Sequence, residues 1–162
     1  MAEYLTNVSA PAAPRSAGRR SVRLRVRGGV LAGGALGLAV LAFSLTPISG
    51  GYGTHEQLGL PPCSFLARTG WPCPTCGLTT SVALMAHGQV AAAFGAHPFG
   101  VVLAALLAVA MAAGVAELAT GRDVLALARP GLWWLVAVGG ALMLSWAWKL
   151  AAGWLGGELP IR

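Results

Sequence analysis

The sequence predicts an all-α, polytopic integral membrane protein with about three transmembrane helices and short interfacial or re-entrant helices between them. Three observations carry that expectation: an apolar composition, three long uncharged runs, and tryptophans and basic residues gathered where those runs end. Of the 162 residues, 56% are hydrophobic and only 10% charged, whereas a soluble domain carries about a quarter charged residues. A water-soluble fold of this length cannot hide so much apolar surface.

The first element is a basic tail. The formal net charge is +6, and six of the eleven Lys and Arg residues lie between Arg15 and Arg27. A stretch rich in Ala, Pro, Ser and Arg without apolar periodicity reads as disordered, so residues 1–27 are expected to form a disordered cytoplasmic tail. Its expected partners are the lipid bilayer and anionic lipid headgroups, which attract juxtamembrane basic residues by roughly 1 kcal/mol each. Nucleic acid is not expected, because the charge lies in one juxtamembrane segment and not over a folded face.

The membrane domain, 28–162, follows. No charged residue stands between Gly28 and Thr54, and 30–48 is long enough for a span, which needs about 20 apolar residues. A signal peptide would have a shorter apolar core ending in small residues; this run ends Thr46-Pro47-Ile48. Arg19-Arg20 resembles a twin-arginine export signal, but the residues after it fit that signal poorly, so the segment reads as an uncleaved anchor. The second span, 99–118, is opened by Pro98 and closed before Gly121, the usual placement of Pro and Gly at helix ends. Glu117, at its end, is expected to face cytoplasmic headgroups. The third span, 132–152, carries Trp133, Trp134, Trp146, Trp148 and Trp154 near its two ends, as interfacial tryptophans do. Lys149 is expected to snorkel outward with its ammonium in water.

Orientation follows from the basic residues, since the side richer in Lys and Arg tends to stay in the cytoplasm. The tail holds six and the loop 119–131 adds Arg122 and Arg129, whereas the cysteine loop 49–98 holds only Arg68. The expected topology is N-terminus inside, cysteine loop and C-terminus outside. Three spans without an intramembrane charge give no ion or substrate path, which argues against a transporter.

All three cysteines and all three histidines fall in the outer loop, where prolines punctuate the chain into loop and then helix. A short helix is expected from Gly77 to about His87, with Cys76 in its first turn and Thr79 or Thr80 as cap. A second apolar segment, 89–96, leads to Pro98. Neither can cross a bilayer, so both are expected at the interface or dipping in and returning.

The motif Cys73-Pro74-Thr75-Cys76-Gly77-Leu78-Thr79, with Cys63 before it and Pro98 after it, resembles the bacterial membrane family catalogued as domain of unknown function 2752. In that family Cys-Pro, a short spacer, Cys-Pro-x-Cys-Gly-x-Thr-Arg and a later Asn-Pro-Leu recur. Here Ser64 follows Cys63 where Pro is usual, Thr80 replaces the Arg, and His97 stands in place of Asn. The resemblance supports the membrane architecture and implies a bacterial plasma (inner) membrane location; it brings no activity with it.

Three readings of the cysteines stay open. In the first, two of them form a structural disulfide that holds the loop, as thiols outside the cytoplasm often do; the protein is then a small scaffold or assembly protein of the membrane. In the second, Cys73-x-x-Cys76 is a dithiol that exchanges with disulfides, Cys73 attacking, Cys76 resolving and Cys63 relaying, although the βαβ context of soluble dithiol enzymes is missing. In the third, Cys63, Cys73 and Cys76 with one histidine, His55, His87 or His97, form a Cys₃His zinc site. His97 is the histidine that fills a motif position. Gly77 stands where c-type haem attachment requires His, which argues against haem. Glycines spaced as Gly33 and Gly37, and the pair Gly139-Gly140, permit close helix approach among the spans, in a homo-oligomer or with another membrane protein.

Overall fold

The computed structural model describes residues 15–48, 50–128, 131–157 and 159. Among these residues the chain is all helical: α1 (Arg15–Ser44), α2 (Ser64–Thr69), α3 (Leu78–Ala86), α4 (Val90–Ala96), α5 (Pro98–Thr120) and α6 (Leu132–Leu155), with single 3-10 turns at Thr54–Leu58 and Val124–Ala128. Three stretches are long and apolar enough to cross a membrane: Gly18–Ser44, Pro98–Thr120 and Leu132–Leu155. The spans read as 99–118 and 132–152 lie within them, whereas the first, read as 30–48, runs past the end of its helix at Ser44.

The N-terminal boundary needs correction. Residues 1–14 lie outside the described residues, but residues 15–27, expected in the disordered tail, are the first turns of α1. Arginine is a good helix former, and here the basic segment has something to pack on. A Cβ on Gly121, just past α5, would stand 3.2 Å from Arg25 Nε and 3.3 Å from Ser21 Cβ.

The closest packing joins α1 to α5. Gly28, Ala35 and Ala42 are buried at seven-residue intervals on one face of α1. At Gly28 a Cβ would sit 2.6 Å from the Gly114 carbonyl oxygen, and at Gly114 it would sit 2.7 Å from the Ala32 nitrogen. This is the close backbone approach that small residues permit between membrane helices. The expected glycines are not the ones that provide it: Gly33, Gly37, Gly139 and Gly140 have nothing within 4 Å of a Cβ built on them.

An ion pair locks the same two helices at their other contact. Glu117 is fully buried and accepts from Arg27 Nε at 2.9 Å and from Arg27 Nη2. Its Oε1 also accepts from the Val124 and Leu125 amides at 3.1 and 3.2 Å, while Arg27 Nη2 reaches Asp123 Oδ1 at 2.6 Å. The expectation that Glu117 faces headgroups is therefore overturned: a carboxylate buried within the protein is tolerated when each oxygen has donors, and a guanidinium provides two at once.

At the opposite end of α5 the short helices form a cap. Gly88, with φ 73, turns α3 into α4, and Leu84, Ala93 and Ala96 form a small apolar core between them. The Ser81 hydroxyl lies between the Ala93 and His97 carbonyls at 2.8 and 2.9 Å. The expected boundaries of α3 and α4 hold within a residue or two. Its expected cap does not: the N-cap is Gly77, with no side-chain cap bond, and Thr80 pairs instead with Thr54, Oγ1 to Oγ1 at 2.8 Å.

Candidate functional site

The segment between Gly70 and α3 brings the three cysteines together. The Cys76 amide donates to the Cys73 carbonyl at 3.0 Å and the Leu78 amide to the Thr75 carbonyl at 3.1 Å, so residues 73–78 form consecutive tight turns. Gly77 makes this possible because its φ is 86, in the left-handed region. A Cβ there would also stand 2.6 Å from Lys149 Nζ and 2.7 Å from the Gly51 carbonyl oxygen. Cys63, at the N-cap of α2, returns to the same place because Pro61-Pro62 ends the preceding loop and Gly70 reverses the chain after one and a half turns. The three Sγ atoms lie within 4.8 Å of one another, and Cys73 Sγ stands 3.1 Å from Cys76 Sγ. All three are free thiols.

The two thiols of the motif are unequal. Cys76 is buried and Cys73 half-buried. Burial alone would raise the Cys73 thiol, but hydrogen bonds from the Thr75 side chain, at 3.4 Å, and from Cys76 hold it down to about 7. Burial and the neighbouring Cys73 and Cys63 sulfurs push Cys76 up to about 12. Of the two, Cys73 is the thiol that ionises first. The three cysteines face a pocket of about 470 Å³ whose wall includes Tyr52, His55, Glu56, Leu66 and Leu78.

His97 does not join them, and the Cys₃His set expected with it is not formed. Its buried ring is engaged at both nitrogens: Nε2 with the Pro74 carbonyl at 3.0 Å and Nδ1 with Ser145 Oγ at 3.2 Å. A carbonyl only accepts, so Nε2 carries the proton and Nδ1 accepts from the Ser145 hydroxyl, which itself accepts from the Phe99 amide at 3.0 Å. Burial, together with the nearby Lys149 charge, lowers the His97 pKa against the opposing pull of the Pro74 carbonyl. Of the other histidines, His87 stacks on Phe43 with centroids 4.9 Å apart and donates to the Leu45 carbonyl at 3.1 Å. His55 lies on the pocket wall, its Nε2 at 3.3 Å from the Pro61 carbonyl.

The residues that sequence reasoning missed come from α6. Trp146 Nε1 donates to the Pro72 carbonyl at 2.8 Å. Lys149, expected to snorkel into water, is 8% exposed; its ammonium donates to the Cys76 carbonyl at 3.0 Å and to the Ala96 carbonyl, and stands 4.1 Å over the Tyr52 ring. The premise of spans without an intramembrane charge falls with it. Each carbonyl from Pro72 to Cys76 thus has a donor: Trp146, the Cys76 amide, His97, the Leu78 amide and Lys149 in turn. A signal for this was present in the i, i+4 spacing of Ser145 and Lys149 on an otherwise apolar span.

Residues 63–111 match the family model described as Protein of unknown function (DUF2752), which bears out the resemblance read from the motif. The matched segment opens at Cys63 and closes inside α5, so it contains the three cysteines and His97 but neither α1 nor α6. No curated protein and no solved structure matches the chain.

Proposed function

We propose that the cysteine cap is a thiol–disulfide exchange centre of a multi-pass membrane protein, with Cys73 the attacking and Cys76 the resolving thiol. The observation that carries this reading is the unequal, touching pair: Sγ atoms 3.1 Å apart, both on the pocket, Cys73 half-buried and Cys76 buried. Two thiolates on one zinc ion, each about 2.3 Å from the metal, stand roughly 3.8 Å apart, so the pair is closer than chelation asks. A fourth ligand is also lacking, because the group of convergent metal-binding side chains is Cys63, Cys73 and Cys76 alone among the described residues.

The chemistry is an exchange of two electrons. Cys73 thiolate attacks one sulfur of a disulfide in a partner protein; the Cys73–S bond forms, the partner's S–S bond breaks, and its other sulfur leaves as a thiolate. Cys76 yields its proton to that leaving thiolate and attacks Cys73 Sγ. The Cys73–Cys76 bond forms, the second partner sulfur departs as a thiolate, and the partner is reduced by the two electrons that the pair loses. The same steps reversed oxidise a partner dithiol. Cys63, whose sulfur lies within 4.8 Å of both, is placed to take the bond over from Cys76 or Cys73. On this reading the cap faces the outer side of a bacterial plasma membrane, in agreement with the basic residues at the other ends of the spans.

The test uses the full chain in cells and in detergent. Cys76→Ser should accumulate a mixed disulfide through Cys73 with glutathione disulfide or a disulfide peptide, and Cys73→Ser should not. Cys73 should be alkylated by a membrane-impermeant maleimide in intact cells, with a rate that rises through pH about 7. If the thiols react only after a chelator is added, with one metal ion released per chain, the cap is a metal site. If no mixed disulfide forms and each cysteine is replaceable without effect, the cap is part of a scaffold.

A further inference from the structure

Lys149 brings a positive charge into the apolar third span, and among the described residues no carboxylate lies within ion-pair distance of it. The ion pairs there are Arg27 with Glu117 and Arg27 with Asp123, at the far end of α5. An ammonium taken out of water is costly unless an anion or well-placed dipoles face it. Two carbonyl oxygens, of Cys76 and Ala96, and the Tyr52 ring face this one. The other titratable groups around it are His97 and the thiols of the cap.

The geometry points to Lys149 as a positioning residue of the dithiol: its ammonium clamps the Cys76 carbonyl to the third membrane helix and brings a positive charge to the turn that carries both thiols. Both ends of the Cys76 peptide are then fixed, the amide on the Cys73 carbonyl at 3.0 Å and the carbonyl on Lys149 Nζ at 3.0 Å, so the side-chain torsion alone sets where its sulfur points. Gly77 leaves the room for this clamp, because a Cβ would occupy the place of the ammonium. The inference rests on the thiol-exchange reading for its purpose but not for its measurement.

The experiment compares Lys149→Gln, Lys149→Arg and Trp146→Phe in the purified full chain. The rate of Cys73 alkylation is followed by mass spectrometry across pH, and exchange with glutathione disulfide is followed beside it. Glutamine keeps a donor for the carbonyls and removes the charge, so Lys149→Gln should slow alkylation at pH 7 by about tenfold and move the midpoint up by about one unit, the size expected for losing one opposite charge at this range. Lys149→Arg keeps the charge and should stay within about threefold of the parent. Trp146→Phe removes another hydrogen bond from α6 to the same segment without touching the charge, so its midpoint should not move. Should Lys149→Gln fail to fold, Trp146→Phe still decides, because a midpoint that moves up by about one unit when the hydrogen bond to the Pro72 carbonyl is lost with the charge intact makes the role purely structural and overturns the proposal. A Lys149→Gln profile that overlays the parent overturns it too. Exchange that proceeds while Lys149→Gln is unchanged sinks the inference alone. A shifted midpoint in a protein that forms no mixed disulfide sinks the exchange reading and leaves the role of Lys149 standing.

Discussion

The α1–α5 pair and α6 are joined to the protein by opposite means. α1 and α5 meet backbone to backbone at Gly28 and Gly114 and are tied by Arg27 and Glu117, whereas α6 has few contacts with α5 and is held through Ser145, Trp146 and Lys149 at one end. Leu132, Trp133 and Leu135 at its other end are 76%, 83% and 71% exposed, so that half meets only its surroundings. In a bilayer apolar side chains gain little by leaving lipid for protein, and helices associate through close approach and hydrogen bonds. The first pair uses both. Among the described residues α6 uses hydrogen bonds and the Lys149 contact with the Tyr52 ring, and these end on the cysteine cap, on the loop before it or on the start of α5.

The largest effect should come from forcing the tight pair apart. Gly114→Leu places side-chain atoms where the Gly28 oxygen and the Ala32 nitrogen stand, and overpacking without room to relax costs about 1–3 kcal/mol or more; the variant should lose most of its folded fraction in a detergent unfolding titration. Arg27→Met should come next. It leaves the buried Glu117 with two amide donors and no cation, and should lower the unfolding midpoint by less than Gly114→Leu does because Arg27 is solvent-exposed; Arg23→Met, also on an exposed position, should be silent in the same titration. If the two behave alike, the ion pair is not what joins α1 to α5.

Ser145→Ala sharpens the other side of the comparison. It removes the acceptor of the Phe99 amide and the donor to His97 Nδ1, at about 1–2 kcal/mol, and should loosen α6 while α1 and α5 stay paired; a crosslink between α5 and α6 should fade and one between α1 and α5 should not. The smallest effect is expected at Gly33, Gly37 and Gly139. With nothing within 4 Å of their Cβ positions, alanine there should be neutral or stabilising by up to about 1 kcal/mol in a monomer. Destabilisation by Gly33→Ala or Gly37→Ala would show that a second chain packs on that face of α1.

What the sequence made legible follows the same divide. Spans were readable because each is a run of local composition, and Cys73, Cys76 and Cys63 because a motif and its prolines are local too. The helical state of 15–27 was not, since it depends on α5 lying alongside. Glu117 and Lys149 were misread for one reason: their partners lie 90 and 73 residues away, and the one local signal, Ser145 four residues before Lys149, marks a polar face without naming what meets it. His97 was singled out from the motif, but its two hydrogen bonds depend on Pro74 and on Ser145 of α6.

The distance along the chain between the cysteines and their donors sets an order of events during synthesis. A nascent chain that has reached Gly131 contains all three thiols, yet the carbonyls of Pro72 and Cys76 have no Trp146 or Lys149 to meet them, and His97 lacks Ser145. The cysteine turn of an unfinished chain therefore lacks every hydrogen bond that α6 supplies, and its carbonyls are met only when the last helix has docked. On the proposed reading, the reactivity that these bonds tune is reached only by the completed polypeptide.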